Sequence, residues 1–378
     1  MTMESRTYGP PLHDPRVLLG PGPSNVHPRV TQALSSPTLG YLDPDFLSAM
    51  DDTQELLRHL FQTENETTFS LPGTGMAGME TTVCNVVEPG DTVIVGIHGV
   101  FGQRMAEIVE RHGGKAVRLE VEFGEVNDPA RFSSALDEHP DAKMVMLVHA
   151  ETSTGVGQPL REIGRLVRER GKLFAVDTVC SLGGADVPVD DLLIDICYTG
   201  GQKCIGGPAG ISCITVNERA MDVIRSRSRP VDTWYLDLML IRRYWTSERV
   251  YHHTAPGPLV FALREALCMI REEGLEARFR RHQACGDMLK EALGDLGLEV
   301  FGDAAHRLPM LTCVAVPDGI DEASMRGRLL REYGIEIAGG LGPLKGRAWR
   351  IGLMGYSARK ANIHCLVAAL REILGRPS

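Results

Sequence analysis

The chain has 378 residues, more than one ordinary hydrophobic core accommodates, so two domains in close contact are expected. A net charge of −9 argues against a general nucleic-acid binder, and 43% hydrophobic with 24% charged residues is the balance of a soluble globular protein. No apolar stretch approaches the roughly 18 residues that span a bilayer.

The first ten residues are polar and lack the apolar segment of a secretory leader. Nine cysteines are scattered without paired spacing, most of them in apolar runs, which predicts reduced thiols and a cytoplasmic protein. Pro and Gly dominate Leu19-Gly-Pro-Gly-Pro-Ser-Asn25, so residues 1–22 read as an extended arm rather than a folded layer. Apolar residues recur at helical spacing from Asp45 to Phe61. Strand-like runs follow at 67–71, 92–96, 116–120, 144–149, 173–177, 194–198 and 211–216, with helical patterns between many of them, such as 101–112 and 160–170. This alternation predicts an α/β fold with a mostly parallel, seven-stranded sheet covered on both faces. A long helical pattern begins near Pro258, a second runs to about Leu296, and shorter strands and helices complete a small α+β domain. The predicted division is an arm at 1–22, a large domain at 23–262 and a small C-terminal domain at 263–378.

Two residues carry the chemical signal. The apolar run Leu173-Phe-Ala-Val-Asp177 ends in an acid, and the next strand-like run leads into Thr199-Gly-Gly-Gln-Lys203. Ligands of open α/β sheets bind at the carboxyl ends of the strands, where both residues fall. A lysine that forms a Schiff base and a carboxylate that pairs with a protonated pyridine nitrogen are what a pyridoxal phosphate (PLP) enzyme requires. Upstream, Gly73-Thr-Gly-Met-Ala-Gly78 follows a strand and opens a helix, a ready cup for a phosphate, with Thr74 adding a hydroxyl. The same stretch matches G-x-G-x-x-G, but a dinucleotide fold expects an acid at the end of the next strand, and Val93-Ile-Val-Gly96 continues into Ile97-His-Gly99 without one. Phe101 is placed to stack on a pyridine ring. Gln202 can reach a phosphate oxygen. Arg350, in the apolar run Ala348-Trp-Arg-Ile351, offers a guanidinium fork for an α-carboxylate. His252 and His253 have no further ligand types clustered near them, so no metal site is expected.

Collected in order, these residues resemble the class V PLP-dependent aminotransferases, nearest to the alanine–glyoxylate (serine–pyruvate) group. The motifs are Leu19-Gly-Pro-Gly-Pro-Ser-Asn25, His98-Gly-Val-Phe-Gly-Gln-Arg104, Glu151-Thr-Ser-Thr-Gly155, Gly201-Gln-Lys203, Tyr251-His-His-Thr254 and Arg350-Ile-Gly-Leu-Met-Gly355. The resemblance implies a type I PLP-dependent transferase fold, PLP as cofactor, and a homodimer whose active site is shared across the interface. It implies Lys203 as the Schiff-base lysine and Asp177 as the pyridinium partner. Phe101 and Val179 would lie on the two ring faces, with Thr152 near the cofactor O3′. Thr74, Gly75, Met76 and Gln202 would hold the phosphate, joined by Tyr251 and Thr254 from the neighbouring subunit. Arg350, Asn25 and Tyr41 would bind substrate.

Two departures stand out. Related enzymes carry a histidine where this chain has Met76. The stretches 40–46 and 349–357 look more like the ureidoglycine–glyoxylate aminotransferases, which read the ureido group with a glutamine near Tyr41 and an asparagine at Tyr251; both are tyrosine here. The expected reaction is therefore ping-pong amino transfer from alanine or serine to glyoxylate, with ureidoglycine as the second-ranked donor. A cysteine desulfurase needs a nucleophilic cysteine on a small-domain loop, and residues 314–364 have none. A silent PLP-binding regulator leaves no room for its DNA-binding domain, and a nucleotide-binding dehydrogenase is the remaining non-PLP alternative.

Overall fold

A computed structural model describes residues 14–375. Seven strands form the central sheet in the order Thr67–Pro72, Ile211–Val216, Ile196–Gly200, Leu173–Asp177, Met144–Val148, Thr92–Ile97 and Lys115–Glu120. Only Ile211–Val216 runs against the rest. The central strands are buried along their whole length, as uninterrupted Val, Ile, Leu and Met require when helices cover both faces. The edge strand Lys115–Glu120 is mostly exposed, and its Lys, Arg and Glu discourage further pairing.

Helix Pro44–Phe61 starts where expected because Asp43 accepts the Asp45 N–H at 2.9 Å and Pro44 supplies a helical φ at the first position. One strand differs from the sequence reading, beginning at Ile196 rather than Ile194 and running on through Thr199 and Gly200. The cause is Asp195. Its fully buried carboxylate accepts from Phe174 N–H, Asn217, Arg168 and Arg219, which turns the chain before the strand can begin.

The second core belongs to the small domain. Its sheet, Leu311–Ala315, Ala348–Gly352 and Ala338–Gly339, is antiparallel. Helices Leu275–Asp295, Glu322–Tyr333 and Lys360–Ile373 pack with it around Trp349. The changeover between cores falls between Ile270 and Cys285, so the sequence boundary at 262/263 lies inside helix Gly257–Glu273. Apolar periodicity continues unbroken through that helix, which hides the change of packing partner.

Of the arm, residues 1–13 lie outside the described region. The rest is extended and tied down. Val17–Leu18 pairs in parallel with Ile335–Glu336, and Leu19 is fully buried in the small-domain core, worth about 2 kcal/mol by area. The Gly352 N–H donates to the Leu19 carbonyl at 2.8 Å. A β-carbon on Gly352 would lie 2.1 Å from the Gly20 carbonyl oxygen. Gly352→Ala is expected to lower unfolding stability by about 1–3 kcal/mol in a urea titration, because backbone must move. Gly40→Ala, with nothing within 4 Å of the new methyl, is the control and should stay within about 0.5 kcal/mol.

Candidate active site

The strand ends converge on a cavity of about 180 Å³ lined by Thr74, Gly75, Met76, Phe101, Val148, Ala150, Thr152, Asp177, Val179, Cys180, Gln202 and Lys203. Nine of the residues singled out in the sequence meet there.

One wall is a helix N-terminus. Helix Gly75–Val86 follows strand Thr67–Pro72, and no side chain caps it. Its first N–H groups lack intrahelical partners, as at any α-helix start, and they belong to the residues lining the cavity. Gly75 is needed here for space: a β-carbon would lie 2.5 Å from Val179 Cγ2. Gln202 Oε1 is buried without a hydrogen-bond partner among the described residues. An uncapped helix start with the Thr74 hydroxyl beside it suits a phosphate, and of the Gln202 amide it is the NH2 group that can donate to one.

Asp177 ends the strand Leu173–Asp177. Burial pushes its carboxyl up from about 3.8 to about 7, against a stabilising 2.8 Å bond accepted from the Val179 N–H. Lys203 lies in a π-helical turn, Gly201–Ile205, that is broken at Lys203 itself (φ −104°, ψ −130°). Its amine donates to the Pro21 carbonyl, and Ser24 Oγ donates to the Lys203 carbonyl at 3.1 Å. Burial lowers the amine below its ordinary value, and the nearby Arg350 charge adds to that. A buried anion source and a buried amine, a few residues from an anion cup, match the pyridinium, aldehyde and phosphate of PLP.

Arg350 is buried at the rim. Its Nε donates to Gly339 O at 2.7 Å and its Nη1 to Thr152 O at 3.1 Å. Nη2 has no protein partner among the described residues, which leaves one edge of the fork for a ligand.

Other expected residues lie elsewhere. The Asn25 side chain is committed to the arm, donating to Arg16 O at 2.9 Å and accepting from Leu18 N–H at 2.8 Å. Its amide therefore holds backbone in this chain. Tyr41, Tyr251 and Thr254 are on the surface of this chain. The two tyrosine rings are 4.5 Å apart, and Tyr251 and Thr254 hydroxyls are 3.1 Å apart. His252 Nδ1 meets His253 Nδ1 at 2.8 Å and His252 Nε2 meets Trp234 O at 3.1 Å, with the Trp234 ring stacked on it. Cys313 is buried in a strand and pushed up to about 11 by burial, so it is no nucleophile.

The sequence reading missed Glu151. This fully buried carboxylate accepts from Phe101 N–H at 3.0 Å and Gly102 N–H at 3.4 Å, capping helix Val100–Arg111. It also accepts from Ser153 N–H and Oγ. Glu151 thus fixes the backbone that carries the Phe101 ring. The available signal was a glutamate three residues after a strand end, directly before Thr152.

Comparison with known proteins agrees with this geometry. Residues 24–352 match the Aminotransferase class-V family, and the chain belongs to that family of PLP-dependent enzymes. It is 41% identical to (S)-ureidoglycine–glyoxylate transaminase of Bacillus subtilis, over 96% of this chain and 91% of that protein. It is 39% identical to alanine–glyoxylate aminotransferase of Drosophila melanogaster, over 96% and 94%. The crystal structure of alanine–glyoxylate aminotransferase from Nostoc sp. superposes with a TM-score of 0.96 at 46% identity, covering 99% of each chain.

The raised Asp177 value makes a prediction for cofactor-free protein. Between about pH 4 and 7 the unfolded state releases the Asp177 proton and the folded state keeps it, so stability falls as pH rises through that window and levels above it. Asp177→Asn lacks this slope. Its melting temperature should exceed that of the parent at pH 8, with the gap closing toward pH 4; a constant gap would contradict the burial argument.

Proposed function

We propose that the protein moves the amino group of a small amino acid, alanine or serine, to glyoxylate in two half-reactions at one site. The observation that carries this reading is the convergence of Lys203, Asp177 and an uncapped helix start in one cavity, with the Arg350 fork at its edge.

When bound, PLP supplies an electron sink for the charge left when Cα loses its proton. Lys203 is the residue that would join the cofactor, and its freed amine would be placed to carry the proton removed from the substrate Cα. Burial lowers the amine below its ordinary value, the direction that favours the neutral form this task needs. Asp177, ionised by a cationic partner, holds the pyridine nitrogen in its protonated form. Thr74, Gly75, Met76 and Gln202 hold the phosphate. Phe101 and Val179 would flank the ring, with Thr152 beside it. Arg350 takes the substrate carboxylate with its free edge, orienting the Cα–H bond toward the lysine.

The reading includes a homodimer with Tyr251 and Thr254 reaching the phosphate site of the neighbouring subunit. Exposed Tyr41, Trp234, Tyr235 and Tyr251 support it, since such large apolar groups are costly to leave in water. It also places the enzyme in the cytoplasm, supported by nine free cysteines, seven of them buried. Among the described residues no helix is long and apolar enough to cross a membrane. Ureidoglycine as donor is the second reading, favoured by the 41% identity to the Bacillus subtilis enzyme. Tyr41 and Tyr251 weigh against it, because phenols do not supply an amide's paired donor and acceptor.

Lys203→Ala should lose the protein-bound visible absorbance and slow turnover by about 10³-fold or more. Unchanged turnover would reject the assignment. With the parent enzyme, alanine or serine alone should convert the cofactor to its amine form and bleach that band. Bleaching by ureidoglycine only would select the second reading.

A further inference from the structure

We propose that Arg278 is a positioning residue for Lys203, holding its turn from the hinge between the two domains. The inference rests on the reading of Lys203 as the cofactor-binding lysine.

Helices Gly257–Glu273 and Leu275–Asp295 meet at Gly274, where packing passes from one core to the other. Glu273 closes the first helix and two arginines open the second. Glu273 accepts from Arg278 Nη1 at 2.7 Å, and from Arg281 Nε at 2.6 Å and Nη2 at 2.9 Å. Beyond this shared carboxylate the arginines diverge. Arg278, only 5% exposed, donates from Nε to Gly183 O at 2.8 Å and from Nη2 to Cys204 O at 2.6 Å and Ile205 O at 3.3 Å. Arg281 turns the other way, to Gly355 O at 3.0 Å and Ala358 O at 2.9 Å in the small domain.

Cys204 and Ile205 are the two residues that follow Lys203, and their carbonyls end its turn. The turn is broken at Lys203, so its own hydrogen bonds hold it weakly and outside donors must fix it. Ser24 does so from one side and Arg278 from the other. A packing role would not call for a charge here. Burying a guanidinium is costly, and an apolar side chain of the same length fills such a space without that cost. What an apolar chain cannot do is satisfy three carbonyls at once, which the planar fork does. Through Glu273, the lysine turn and the segment just after the Arg350 strand rest on one carboxylate.

The test follows covalent capture of pyridoxal 5′-phosphate by cofactor-free protein. The Lys203 amine condenses with the cofactor aldehyde, forming a C=N bond and releasing water. Capture is read by visible absorbance, and the site by borohydride reduction and peptide mass analysis. In the parent, a reduced adduct on Lys203 supports the underlying reading; an adduct elsewhere rejects that reading and this proposal with it. Given the adduct on Lys203, Arg278→Met should slow capture and lower kcat about tenfold while the KM of the amino donor moves less than about twofold, because small misplacements of a reacting group cost rate rather than binding. Arg278→Lys should recover part of the loss, since one ammonium still reaches a carbonyl. Arg281→Met, which loosens the same hinge and meets the lysine turn only indirectly, through Gly355, should capture within about twofold of the parent even where its melting temperature falls as far. Equal slowing in the Arg278 and Arg281 variants, or none in either, overturns the proposal. If Arg278→Met does not fold, Arg278→Lys against Arg281→Met decides by the same comparison.

Discussion

Keeping an amine and a carboxylate away from water in one cavity is the constraint on which the structure turns. Burial disfavours both charges, lifting the Asp177 carboxyl to about 7 and lowering the Lys203 amine. Left alone, the pair weakens the fold. A cationic heterocycle bearing an aldehyde resolves the conflict, giving the carboxylate a counter-charge and the amine a covalent partner. The cofactor-free pocket is thus held by the rest of the molecule against its own electrostatics, and the rest of the molecule shows the means. Pro21 and Ser24 of the N-terminal segment meet the lysine and its turn, while the Val179 N–H meets Asp177.

That explains why a segment so rich in Pro and Gly is ordered at all. Residues 17–25 run from the two-stranded pairing with Ile335–Glu336, through the buried Leu19, to the Lys203 turn. Apolar burial anchors one end and hydrogen bonds to the turn anchor the other. Asn25 and Ser357 tie the middle, with Ser357 Oγ donating to the Leu18 carbonyl at 2.9 Å. The arm therefore links the domain that carries Arg350 to the one that carries Lys203, as Glu273 does from the opposite direction.

The strands were legible in the sequence because a parallel sheet covered on both faces needs continuous apolar runs, and Met144–Val148 and Leu173–Asp177 are such runs. Asp177 and Lys203 were legible because polar residues directly after such runs fall where ligands bind. What escaped was everything set by long-range pairing. Glu151 meets a helix start fifty residues earlier, and nothing local to Glu151 says so. Arg278 meets carbonyls of residues 183, 204 and 205 from an ordinary-looking helix. For Asn25, motif context names a substrate role, while its side-chain hydrogen bonds, also invisible in the sequence, serve the arm. The boundary placed at 262/263 falls inside helix Gly257–Glu273 because a helix keeps one period whichever core it faces.

The same division separates what fixes the reaction from what selects the substrate. The inner wall is made of strand ends and a helix start, parts that cannot shift without disturbing a sheet of fully buried strands. Chemistry common to a family belongs there. In the proposed reading, donor choice falls to Arg350, which has one uncommitted edge, and to Tyr41 and Tyr251, whose rings meet at 4.5 Å on the surface. Those tyrosines are exposed on this chain and pack against each other, so in the proposed dimer substitution there changes the surface that meets the neighbouring subunit's site. Relatives that share the inner wall can therefore take different amino donors, and two near-equal identities to enzymes acting on alanine and on ureidoglycine are what this arrangement leads one to expect.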